Sequence, residues 1–223
     1  MNSEGKILNY LEDKYGEKFV VEGKKEGSIL FSKMYGKDKL FVYPKGKPEL
    51  IFAAGQSRSD EVNYYDGYIS AVWGDELTNS LKEELKGKLP EGSVYRVFVN
   101  SQEDDPSMKD MSIYDYLNRE NKNLMVVLEV AIKTTKEPNL DEYRDGLYQA
   151  FEIIKNLQSK YYTLSVGVVD KSEDIQEYIR TSKVNNIPWS NLDAKVYGYL
   201  VVDDYDDIKS PEELISKYKP VKE

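Results

Sequence analysis

Apolar positions recur at helical spacing in some stretches and run at alternate or continuous positions in others. Ile7, Leu8, Leu11 and Tyr15 predict a helix over residues 4–15, with Gly16 as the C′ glycine that stops it. Three short strands are expected next: Phe19 to Val21, Ser28 to Tyr35, and Leu40 to Tyr43 running on towards Ile51-Phe52-Ala53. Gly23, Gly27, Gly36-Lys37-Asp38 and Pro44-Lys45-Gly46-Lys47-Pro48 carry turn chemistry, the punctuation of an antiparallel meander. The strongest periodicity follows. Tyr65, Ile69, Trp73, Leu77, Leu81, Leu85 and Leu89 form one apolar stripe and predict a helix over 64–88, with a bend at Gly74. Asp66-Gly67 suits a hairpin turn, but the long periodic match outweighs that dipeptide.

Pro90-Glu91-Gly92-Ser93 punctuates the chain, and its character then changes. Val94 to Val99 reads as a strand, Ser101 to Asp110 as an acidic loop, and Ser112 as the cap of a short helix reaching Asn121. Leu124 to Ile132 is almost continuously apolar, which argues for a central strand covered on both faces. Asn139 with Glu142 predicts the start of a long helix whose buried stripe is Leu140, Tyr143, Leu147, Ala150, Phe151, Ile154, Leu157 and Tyr161. A strand over Thr163–Val169, a helix over 173–182, a strand over Lys195–Val202 and a helix capped by Ser210 complete the order. The expectation is an α+β protein. An α-β-β-β-α lobe with a small antiparallel sheet occupies 1–92. An α/β lobe with a mixed sheet and packed helices occupies 93–223, either as a separate domain or continuous with the first.

Composition removes whole classes of chemistry. The 223 residues include no Cys and no His, so Ser-His-Asp and Cys-His catalysis and disulfides are excluded, and zinc loses its usual ligands. With 31 basic and 40 acidic residues the formal charge is −9, which argues against a nucleic-acid partner. The densest basic stretches, Lys24-Lys25 and Lys45-Gly46-Lys47, are short. No apolar run is long enough to cross a bilayer. The first 25 residues show no signal-peptide pattern, so either the native protein is cytoplasmic or a signal segment precedes Met1. Tyrosines outnumber phenylalanines 19 to 6, a bias that suits half-exposed surfaces, interfaces and sugar-stacking sites, or reflects residue usage alone.

Candidate chemistry is sparse. No phosphate-cradling or nucleophile-elbow motif occurs, and the Ser-x-x-Lys matches, Ser3/Lys6 and Ser216/Lys219, lie at frayed ends. Asp203, Asp204, Asp206 and Asp207 around Tyr205 are the candidate calcium or magnesium ligands. An EF-hand pattern fails there, and a solvated loop ahead of the next helix is the favoured reading. Glu103-Asp104-Asp105 is a second acidic loop; together the two would supply the paired carboxylates of a hydrolase. Trp189, in a polar loop, and Tyr205 are the candidate ligand-stacking residues, although a Trp in such a loop more often caps the core. No cofactor is implied.

The run Tyr10-Leu11-Glu12-Asp13-Lys14-Tyr15-Gly16-Glu17-Lys18-Phe19-Val20-Val21, then Val42-Tyr43-Pro44-Lys45-Gly46, then Asp66-Gly67-Tyr68 through Trp73 to Leu85, resembles uncharacterised surface-lipoprotein families of low-GC Gram-positive bacteria. The resemblance spans residues 7–89 and carries no catalytic residues. It implies an extracytoplasmic, lipid-anchored protein whose signal and lipidated cysteine lie outside this sequence. The expected function is therefore a non-catalytic envelope protein that binds a protein or wall-polymer ligand and touches the membrane only through a lipid anchor. Two alternatives stand beside it: a carboxylate hydrolase built on Asp104 and Asp203, and a cytoplasmic acidic protein that binds a basic partner.

Overall fold

The computed structural model describes residues 2–27, 36–57, 63–119 and 123–222; the strand expected over Ser28–Tyr35 lies outside them. Helix α1 (Ser3–Tyr15) begins where the Asn2 side chain accepts from the Gly5 N–H, and ends at Gly16, whose φ of 66° only a residue without Cβ adopts freely. Strands β1 (Phe19–Lys25), β2 (Lys39–Pro44), β3 (Phe52–Gln56) and β4 (Tyr64–Asp66) form an antiparallel sheet in sequence order. Alternation decides its faces. Leu40, Val42, Phe52 and Ala54 are buried with Ile7, Leu11 and Tyr15 of α1 in one core cluster. Lys39, Phe41, Tyr43 and Ala53 point the other way and are half-buried. Gly23, expected in a turn, lies inside β1 at a register shift.

The helix expected over 64–88 is corrected at three places. Residues 64–66 pair with β3 as a strand. Helix α2 (Tyr68–Ser80) then begins as the Asp66 carboxylate accepts from the Tyr68 N–H at 3.0 Å, so Asp66-Gly67 ends one element and opens the next. The break comes at Leu81, not Gly74, and is followed by the short α3 (Lys82–Leu85). Gly74 serves close packing instead of a bend. A Cβ there would lie 3.1 Å from the Phe98 Cα, so the glycine lets helix and strand backbones meet.

The chain divides into two compact units, Met1–Val72 with Ser101–Met111 and Trp73–Asn100 with Ser112–Glu223. The second holds β5 (Val94–Asn100), α4 (Ile113–Leu117), β6 (Met125–Thr134), α5 (Asp141–Lys155), β7 (Tyr161–Asp170), α6 (Gln176–Arg180), α7 (Ser182–Asn185), β8 (Val196–Asp203), α8 (Pro211–Ile215) and β9 (Lys219–Pro220). Its sheet runs β5-β6-β7-β8-β9, with β6 and β7 parallel across the α5 crossover and the other pairs antiparallel. The fold class is thus the expected α+β, with one antiparallel and one mixed sheet.

Strand β6 is buried on both faces, as its unbroken apolar run requires. One face packs on Leu147, Ala150, Phe151 and Ile154 of α5; Ala131 and Val169 on the other meet Ile175, Ile179 and Trp189. The expected stripe overran the helix at both ends. Helix α5 stops at Lys155, Gln158 turns the chain at φ 61°, and Tyr161 opens β7 instead of extending the helix. Ser210 caps α8 as predicted by accepting from the Glu213 N–H, while Glu213 reaches back to the Lys209 N–H.

Candidate functional site

The residues singled out from sequence divide sharply on exposure. Trp189 is 3% exposed, and its Nε1 donates to the Ser165 Oγ at 3.0 Å. Its ring lies on Gly167, where a Cβ would come within 2.2 Å of it. It is a core cap rather than a ligand platform, the outcome its average burial favoured. Tyr205 is 79% exposed at the tip of its loop. The neighbouring acids work locally. Asp203 and Asp206 form a reciprocal capping box, Asp204 accepts from the Tyr162 N–H, and Asp206 and Asp207 pair with Lys217 and Lys209. Among the described residues no group of three or more carboxylates is placed to hold a metal ion. Asp104 belongs to one compact unit and Asp203 to the other.

The densest polar network was not anticipated. The Asp66 carboxylate, 1% exposed, accepts from the hydroxyls of Tyr10 and Tyr15, each at 2.7 Å, and pairs with Lys14 at 2.9 Å. Burial first, and then the hydrogen bonds and charge of Asp66, push both phenols above their ordinary range. They are fixed donors, not bases. Beside them Tyr68 donates to Glu17 at 2.6 Å and Lys109 pairs with it at 3.1 Å. Although burial acts in the opposite sense, these two partners hold the Glu17 carboxyl below its usual range. These contacts tie α1 to β4, to α2 and to the 106–110 turn, so their yield is rigidity.

In the larger unit, Glu129 sits mid-strand on β6, 7% exposed, next to Ser165 on β7. Burial pushes it up to about 7 against the hydrogen bond from Ser165. Trp189 donates to Ser165 and Ser165 to the Glu129 carboxyl, a relay that lies under the helical cover. Lys183 donates to the Val99 carbonyl at 2.5 Å, and burial lowers it to about 8.

The outer face of the β1–β4 sheet carries a second group of polar and aromatic side chains. Register places Lys25 opposite Lys39, Lys39 opposite Gly55, and Gly55 opposite Tyr65, one residue per strand in a single row. The Tyr65 side chain lies over Gly55, where a Cβ would be 2.7 Å from its hydroxyl oxygen and 3.0 Å from Cζ. In the next row the Phe41 ring lies 3.4 Å from the Cβ position of Gly23. A cleft of about 340 Å³ opens at the Lys25–Lys39 end, lined also by Lys37, Gln56, Ser57 and Tyr65. The Lys24-Lys25 pair was visible in the sequence, but its alignment with Lys39 and Tyr65 depends on strand register. This surface holds ammonium groups, amides and rings. It can bind an anion and stack a ring.

No family profile and no curated protein matches the chain. Among solved structures it is similar to the crystal structure of a DUF5037 family protein from Ruminococcus gnavus ATCC 29149, with a TM-score of 0.58 and 19% identity over 96% of this chain and 93% of that one. At that identity the likeness concerns the fold, which the two share along nearly their whole length. That neighbour's family is one of unknown function.

Proposed function

We propose that this protein is a non-catalytic binding module of the cell envelope, held outside the cytoplasm by a lipid anchor. Its contact surface is the outer face of the four-stranded sheet. The observation that carries the reading is the cross-strand row of Lys25, Lys39, Gly55 and Tyr65, with Phe41 over Gly23 beside it. Glycines at these positions let the Tyr65 and Phe41 side chains come close over the backbone, a relief suited to receiving a ligand. The polar groups with perturbed acidity are engaged elsewhere. Tyr10, Tyr15 and Tyr68 are locked to carboxylates, and Glu129 lies under a helical cover.

The test combines location with binding. In the native host, the protein should fractionate with the envelope and carry a lipid at its amino end. The purified chain should co-sediment with isolated envelope material, and Tyr65→Ala with Phe41→Ala should weaken that binding about tenfold or more, the loss expected when ring contacts at an interface centre are removed. An unmodified protein in the cytosol that ignores envelope material would overturn the reading.

A further inference from the structure

We propose that residues 175–192, carried between β7 and β8 and lying over Glu129, form a pH-gated flap that opens as one unit and is loosest near neutrality. The flap belongs to the larger compact unit, and its opening does not depend on the envelope reading.

The segment is built to move apart from the sheet beneath it. Its helices α6 and α7 span five and four residues, too short to stand without packing. The sheet does not need them: β7 stays hydrogen-bonded to β6 and β8, and β6 and β7 rest on α5. The flap is also tied to itself. Tyr178 donates its hydroxyl to the Ile187 carbonyl, and the Asn185 amide donates to the Tyr178 carbonyl at 3.0 Å. It is held down by one small apolar cluster, in which Ile175, Ile179 and Trp189 meet Ala131 and Val169. Two side chains add hydrogen bonds to the sheet: Trp189 donates to the Ser165 hydroxyl at 3.0 Å and Lys183 to the Val99 carbonyl at 2.5 Å.

Each of those bonds involves an ionisable group under the flap. Ser165 links Trp189 to the Glu129 carboxyl, which is 7% exposed in mid-strand. A carboxylate there lacks water, and opening of the flap restores it, so charge on Glu129 favours the open form. Lys183 is an ammonium held on a backbone carbonyl, and it too gains water on opening. The other groups facing Glu129 are committed. Arg96, opposite it on β5, pairs with Asp75 at 3.6 Å. Tyr178 on α6 gives its hydroxyl to Ile187, and burial holds that phenol far above neutrality. Glu177 and Arg180 of α6 pair with each other at 2.9 Å, and the Trp189–Asn191 turn brings no charge. Val99 lies three residues along β5 from Arg96, so the Lys183 ammonium sits roughly 10 Å from the carboxyl, too far to pair with it.

The two groups act in opposite senses. Glu129 is raised from its ordinary 4.5 to about 7 in the closed form, so closure weakens as pH climbs between those values. Lys183 is lowered from 10.5 to about 8, so closure strengthens again as pH rises from 8 towards 10.5. Opening is therefore greatest between pH 7 and pH 8.

Amide hydrogen exchange on the full chain tests this, read at residues 176–191 and at the Trp189 indole N–H from pH 5 to pH 10 and corrected for intrinsic rates. Amides of β6 report global unfolding alongside. We expect flap protection at least about tenfold below that of β6. It should fall about tenfold per pH unit from pH 5 to pH 7, and recover about tenfold per unit above pH 8. Glu129→Gln should abolish the acid limb and keep the alkaline one, and Lys183→Met should do the converse; circular dichroism would confirm that both variants fold. Equal protection of flap and β6 amides would mean that the flap does not open separately. Flap protection indifferent to pH, an acid limb that survives Glu129→Gln, or an alkaline limb that survives Lys183→Met would remove the gate. Any of these results overturns the proposal.

Discussion

Replacing Asp66 with asparagine tests what holds α1 in place. The substitution keeps the volume and removes the charge. Lys14, whose side chain is 13% exposed, loses the counter-ion it holds at 2.9 Å, and an amide NH2 now confronts one of the two phenol donors, which sat on separate carboxylate oxygens at 2.7 Å each. Removing one partner of a buried pair costs about 3–5 kcal/mol, and each stranded hydroxyl about 1–3 kcal/mol. Because the groups form one network these costs overlap, and the expected loss is about 3–4 kcal/mol. With a urea slope of about 2 kcal/mol/M, the midpoint should fall by roughly 1.5–2 M. Trp73 and Trp189 both lie in the other compact unit, so the readout should be far-UV circular dichroism and amide exchange at Leu11 and Tyr15. Adding Lys14→Met should restore about 1 kcal/mol or more by removing the stranded ammonium. A shift below about 0.5 M at unchanged slope, or no recovery in the double variant, would refute the network as the anchor of this helix.

Other outcomes follow from the same structure. Glu129 has its folded-state pKa raised from 4.5 to about 7, so the folded protein binds the extra proton between those values and loses stability as pH rises through them. Glu129→Gln should therefore flatten the stability profile, gaining about 2–4 kcal/mol on the parent between pH 5 and pH 8 in urea titrations. An unchanged profile would place that pH dependence on other groups. Gly167→Ala forces the Trp189 ring away from a 2.2 Å overlap and should cost about 1–3 kcal/mol or more, with altered near-UV dichroism. Calcium at about 1 mM should move the melting temperature by less than about 1 °C, because Asp203 and Asp206 are committed to their capping box; a larger rise would assign that loop a cation.

Local chemistry was legible where it is closed within a few residues. The Gly16 stop of α1, the Ser112 and Ser210 caps and the two-sided burial of β6 follow from propensity, capping and periodicity, because each is decided by contacts close in sequence or by a long uniform run. The errors fell where two patterns overlap. Tyr65 satisfied a four-residue helical repeat, yet pairing of residues 64–66 with β3 and the Asp66 carboxylate at the Tyr68 N–H moved the helix start beyond it. Tyr161 fitted the α5 stripe in the same way, until the left-handed turn at Gln158 ended it.

Composition and short-range order were enough to establish the α+β class, the lack of cysteine and histidine chemistry and the acidic balance. Which side chains meet is a matter of tertiary packing. Asp66 gathers Tyr10, Tyr15 and Lys14 from a helix more than 50 residues away, Trp189 descends onto Gly167, and Lys25 comes to face Lys39 and share a row with Tyr65. A strand's face follows from its alternation, but its register does not, and a slip of one residue sends every side chain to the opposite face. The candidate binding surface exists because of register, and register is settled by the packing of α1 on the face beneath it.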